Sequence, residues 1–302
     1  MTSQSTETAG SLRRKYLLLV AWVGTLLVST LPLILWREVL GKDASGFDWV
    51  RLGLALLVVV LTLLWREARP LFGYFLLLFV IHIVAGIVNP LVAESALWQA
   101  WFGGDASWAM SNLGVHLLGL FVSLVVLAVL TLRGMKPAQY FLVKGQSDAP
   151  VEPVRWLGIR RPEPWRRFGP PLAAIITALT LLFLVSGIRP SWGDVMRALP
   201  FLPLVLVFAA LNAFNEELPF RAALLSQLLP VVGKDQALWL TAILFGLGHF
   251  YGVPNGLPGV FMAGLLGYLL GKSMAETRGF FWAWFIHFLQ DVVIFFFFAM
   301  FA

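Results

Sequence analysis

Apolar residues in this chain gather into long runs separated by shorter polar breaks. The runs extend from about Tyr16 to Trp36, Val50 to Trp65, Leu71 to Val92, Asn112 to Leu132, Gly169 to Ile188, Ala198 to Phe214, Leu238 to Phe250, Leu257 to Leu270 and Phe280 to Phe301. Roughly 20 apolar residues in a helix cross a hydrocarbon core, so the pattern predicts an all-α polytopic membrane protein with eight or nine transmembrane helices. Several later runs fall short of that length and are interrupted by charge, Gly or Pro. Helices of that kind line a polar intramembrane cavity instead of facing lipid, because freed backbone groups need partners that lipid lacks. Trp36 and Trp65 stand beside Arg37 and Arg66 at the ends of their runs, the interfacial placement of an amphipathic ring.

Composition supports the same class. Hydrophobic residues make up 59% of the 302 residues and charged residues 13%, against about 25% charged in a soluble domain. The first run follows Arg13-Arg14-Lys15 and reaches Arg37 without a small-residue cleavage site, so it reads as a retained span and not as a signal peptide. Arg66, Arg69 and the eight Lys and Arg of segment 133–168 place those loops inside with the N-terminus, while Ala93 to Ser111 has no Lys or Arg and lies outside. The net charge of +6 is thus accounted for by topology. The basic loop lacks the aromatic groove of a nucleic-acid binder, which leaves the lipid bilayer and a membrane-associated peptide or protein as the expected partners and the cell inner membrane as the expected location. There is no cysteine, which removes thiol nucleophiles, disulfides and Cys-based metal sites.

Segment 133–168 carries Pro137, Gly145, Pro150, Pro153, Pro162 and Pro164 and divides the chain. The expected organisation is a four-helix membrane region over 1–132, a basic cytoplasmic linker over 133–168 and a catalytic helical domain over 169–302. The first region offers His82, Asn89 and His116 as polar candidates; lone histidines on apolar helices read as packing residues.

The C-terminal part concentrates ionisable groups at three places in apolar helices. Glu216 and Glu217 lie side by side, and Arg221 follows Glu217 at the i,i+4 spacing of an ion pair along one helix face. That pair would hold Glu217 charged and leave Glu216 free to exchange protons. Pro219 is tolerated only in the first turn of a helix, which predicts a helix break near Asn215. In Phe245-Gly246-Leu247-Gly248-His249 the glycines allow close approach of another helix, so that His249 sits at a crossing point. His287 and Asp291, also four apart, share one face of the last run. Each charged group inside a bilayer costs about 2.5–3.5 kcal/mol on insertion scales, and such groups mark functional sites that pair with one another.

The order Glu-Glu-x-x-x-Arg, Phe-x-x-x-His and His-x-x-x-Asp resembles the CPBP family of intramembrane proteins, which includes the type II CAAX prenyl proteases. Glu216, Glu217 and Arg221 match the first motif, Phe245 and His249 the second, and His287 and Asp291 the third, and the likeness covers about Trp156 to the C-terminus. The resemblance implies proteolysis within the membrane. It assigns Glu216 with His249 to water activation, His287 with Asp291 to the oxyanion, and Glu217 with Arg221 to a supporting pair, with no cofactor.

Two positions depart from the family's pattern. Ala222 stands where glycine is commonest. Asp291 stands where an asparagine amide would donate to an oxyanion, which an ionised aspartate would repel. Asp291 is therefore protonated, orients His287, or serves as a ligand; in the last case two histidines with glutamate and aspartate oxygens form a Zn²⁺ shell, although no His-Glu-x-x-His motif is present. The alternative class is a non-catalytic membrane protein, either an immunity or chaperone-like binding factor or a small proton-coupled transporter. A binding role has no need of Glu216, His249, His287 and Asp291 together.

Overall fold

A computed structural model describes residues 2–302, with side chains from Arg14 onward, so Arg13 of the basic N-terminal cluster lies outside the described side chains. Helix accounts for 79% of the chain and no strand is present among the described residues. The principal helices are α1 (Thr2–Val28), α2 (Phe47–Leu64), α3 (Phe72–Ile83), α4 (Trp108–Leu132), α5 (Trp165–Ile188), α6 (Leu202–Glu217), α7 (Leu224–Val232), α8 (Lys234–Gly248), α9 (Gly256–Thr277) and α10 (Phe281–Ala299).

Seven helical stretches among the described residues are long and apolar enough to cross a membrane, and an eighth is added if Arg14–Val28 and Leu31–Val39, bent by 51°, form one span. The bend falls at Ser29 and Thr30, just ahead of Pro32, which has no N–H to give the Val28 carbonyl. The protein is thus a multi-pass membrane protein, as its hydrophobic pattern predicts. α8 has 15 residues and covers only about 22 Å, less than a hydrocarbon core.

The chain forms two compact units, and neither is continuous in sequence. The first comprises Met1–Ile87 and Ala223–Gly271, and the second Val88–Ala222 and Lys272–Ala302.

In the first unit α1, α2 and α3 pack together and α7 lies against α8. Phe75 and Val58 fill the space beside Gly24, and Thr25 Oγ1 meets Tyr74 Oη at 2.9 Å. His82 Nε2 lies 3.0 Å from Arg51 NH2, and its Nδ1 lies 2.7 Å from the Leu78 carbonyl. A guanidinium only donates and a carbonyl only accepts, so both ring nitrogens are satisfied as in a packing residue. The glycine reading of the second motif holds at Gly246. A Cβ there would come 2.5 Å from the Val260 carbonyl oxygen and 3.1 Å from Gly264 Cα, so α8 and α9 touch backbone to backbone, as small residues permit.

In the second unit α6 packs against α4 and α10, and α10 packs against α5. Their shared core includes Leu184, Val205, Phe208, Phe295 and Phe297. His116 of α4 is buried there, its ring 5.1 Å from both Phe208 and Phe295. α4, which composition groups with residues 1–132, thus shares its compact unit with α6 and α10. Gly169 sits against the Trp282 ring, where a Cβ would overlap the indole, so α5 approaches α10 as closely as a glycine allows.

The polar segment 133–168 is folded into this second unit. Gln146 N donates to the Thr277 carbonyl at 2.7 Å and Phe280 N to the Val143 carbonyl at 2.8 Å, which fixes the entry of α10. Lys272 and Glu276, both buried, form an ion pair; Lys272 Nζ also donates to the Glu152 carbonyl at 2.7 Å, and Trp165 Nε1 donates to Glu276 Oε2 at 2.9 Å. These partners offset the desolvation that a buried ion pair incurs.

Candidate active site

Glu216 and Glu217 end α6, and the chain continues without interruption into a π-helical turn, Leu218–Ala223. The helix break expected near Asn215 is absent. Pro219 has no N–H to give the Asn215 carbonyl, and its ring would clash with that carbonyl in a regular α turn; the wider π turn accommodates it. Such turns occur often at functional sites. Asn215 stays within α6, where its amide donates to the His116 carbonyl at 3.0 Å and its side chain fills the space beside Gly119.

The predicted Glu217–Arg221 ion pair forms, and both side chains are fully buried. Glu217 Oε1 also lies 2.7 Å from His287 Nδ1. A carboxylate held by a guanidinium accepts hydrogen bonds, so Nδ1 carries a proton and Nε2 faces the other side. On that side stand Glu216 Oε2 and Asp291 Oδ2, each 3.6 Å from Nε2. His287 is therefore held from behind by Glu217 and faces two carboxylates in front.

Asn212, one helical turn before Glu216, completes the group. Its Nδ2 donates to Asp291 Oδ2 at 3.0 Å and to Glu216 Oε1 at 3.3 Å. The sequence reading did not select Asn212, although its i,i+4 relation to Glu216 on an apolar helix was available as a signal. Lys272 and Glu276 were also missed; their own i,i+4 spacing beside a short apolar run was the available clue.

Exposure separates the acids. The side chains of Glu217 and Asp291 are 0% and 5% accessible, whereas that of Glu216 is 26% accessible. Glu216 is the most accessible carboxylate of the three.

The structure thus brings Glu216, Glu217, Arg221, His287 and Asp291 together within the second unit. His249 belongs to the first unit. It follows the last residue of α8, half-buried, with its ring 4.3 Å from that of Phe245 and its Nδ1 2.9 Å from the Phe245 carbonyl. The carbonyl fixes the proton on Nδ1 and leaves Nε2 as the basic nitrogen. The Phe-x-x-x-His spacing places that carbonyl one turn back.

Five clustered ionisable side chains on helices of membrane-spanning character define a polar site inside a membrane protein. Residues 198–293 match the family described as type II CAAX prenyl endopeptidase Rce1-like, and this stretch contains all three motifs. The resemblance to the CPBP family is borne out over that stretch, which is similar to the Rce1-like endopeptidases. Neither the curated proteins nor the solved structures include a match to the chain.

Proposed function

We propose that the protein is a glutamate-type intramembrane endopeptidase acting on a membrane-associated peptide or protein. The observation that carries this reading is the position of Glu216: the most accessible of the three carboxylates around His287, 3.6 Å from the Nε2 of a ring whose other nitrogen is locked by Glu217. Glu216 takes a proton from water as the oxygen attacks the scissile carbonyl carbon, and returns it to the leaving amine as the C–N bond breaks. The family resemblance assigns His249 to water activation, a role that its basic Nε2 suits chemically. His287, oriented by Glu217, and Asp291 serve the oxyanion side, where a donor stabilises the developing charge. Asp291 does so as the protonated acid or by orienting His287. Location in the cell inner membrane fits the arginine-flanked helices.

The Zn²⁺ alternative is separated from the metal-free mechanism by experiment. The experiment is incubation of the purified protein in detergent with membrane-anchored peptides, with and without a strong chelator. Cleavage that persists in chelator is expected. Chelator-sensitive cleavage would transfer the reading to a metalloprotease, and no cleavage of any such peptide would favour a non-catalytic binding protein.

A further inference from the structure

Glu216 and Asp291 both face His287 Nε2, and that single nitrogen supplies at most one N–H for two acids. Two carboxylates sharing a site repel unless neutral donors or a shared proton hold them. Asn212 is the side chain placed to do this, with one amide nitrogen and two hydrogens, one directed at Asp291 Oδ2 and the other at Glu216 Oε1. The charged and titratable groups around the pair include Glu217 and Arg221 from α6 and the turn after it, His287 from α10, and His116 from α4, which lies within electrostatic reach of Glu216. Arg221 binds Glu217 behind the ring, and at the front Asn212 donates to both carboxylates.

We infer that Asn212 is a positioning residue that clamps Glu216 and Asp291 across the α6–α10 contact, fixing the base relative to the oxyanion side. The amide is required for its chemistry as well as its shape. Asp291 offers only oxygens, and an aspartate at 212 would set three carboxylates against one imidazole. The catalytic consequence rests on the protease reading; the clamp itself does not.

The test exchanges the amide and the carboxylate across the same hydrogen bond. Asn212→Asp opposes two acids and is expected to lower kcat by about 10²-fold through misplacement of the base, with KM within about threefold because substrate binding is not what is lost. The double variant N212D/D291N restores one amide facing one carboxylate and is expected to recover most of the lost kcat and melting temperature. A cycle of N212A, D291A and the double alanine variant, followed by thermal unfolding in detergent, reads the coupling even where N212D fails to fold. Non-additive melting shifts support the clamp. Additive shifts together with an unrescued N212D overturn it. If the coupling is present but the wild type cleaves nothing, the clamp stands and the protease reading falls.

Discussion

Glu217 and His287 meet at 2.7 Å through Oε1 and Nδ1, and the same carboxylate oxygen receives the Arg221 guanidinium. One fully buried carboxylate thus fixes both the ring that faces the more accessible Glu216 and the cation that neutralises the site's interior.

Removing that cation tests whether the pair is structural. Arg221→Met leaves Glu217 buried against a thioether and is expected to destabilise the protein by about 3–5 kcal/mol, the magnitude for breaking a buried ion pair from one side. Denaturant unfolding in detergent micelles measures it. A loss below about 1 kcal/mol, as in an exposed pair, would contradict the burial found here.

Asp291→Asn separates the roles open to that residue. An asparagine supplies a fixed donor to an oxyanion and still offers Oδ1 to Asn212, so peptide cleavage is expected to persist at the wild-type rate or above. Steady-state kinetics read this outcome directly. A large loss accompanied by new chelator sensitivity would mark Asp291 as a metal ligand.

Gly169 tests how tightly α10 is held. A side chain there overlaps the Trp282 indole, and Gly169→Val is expected to cost about 1–3 kcal/mol, as overpacking does. Melting temperature and cleavage rate should fall together, because His287 and Asp291 ride on α10. Unchanged values for both would show that the α5–α10 contact is looser than the glycine implies.

Much of this was legible in the sequence for definite reasons. The spans announce themselves by hydrophobic length, and Glu217–Arg221 and His287–Asp291 announce themselves by helical spacing, since i,i+4 is a local relation. Gly246 was readable because small residues mark helix crossings. The unbroken passage from α6 through a π turn at Pro219 was not, because a proline permits either a break or a widened turn and only tertiary packing selects between them. Asn212 stayed hidden for a related reason: its i,i+4 neighbour Glu216 is local, but its partner Asp291 is 79 residues away. The folding of segment 133–168 onto α9 and α10 was equally invisible, since it depends on Lys272, Glu276 and backbone contacts of Gln146 and Phe280.

Single-turnover cleavage of a membrane-anchored peptide by Glu216→Gln beside the wild type tests whether Glu216 is the base. Glutamine keeps the shape and the hydrogen-bonding reach of the side chain while removing the proton acceptor. The cleavage rate is expected to fall by about 10²-fold or more, the general-base contribution, with the melting temperature close to that of the wild type. Cleavage by Glu216→Gln at or near the wild-type rate would contradict the assignment.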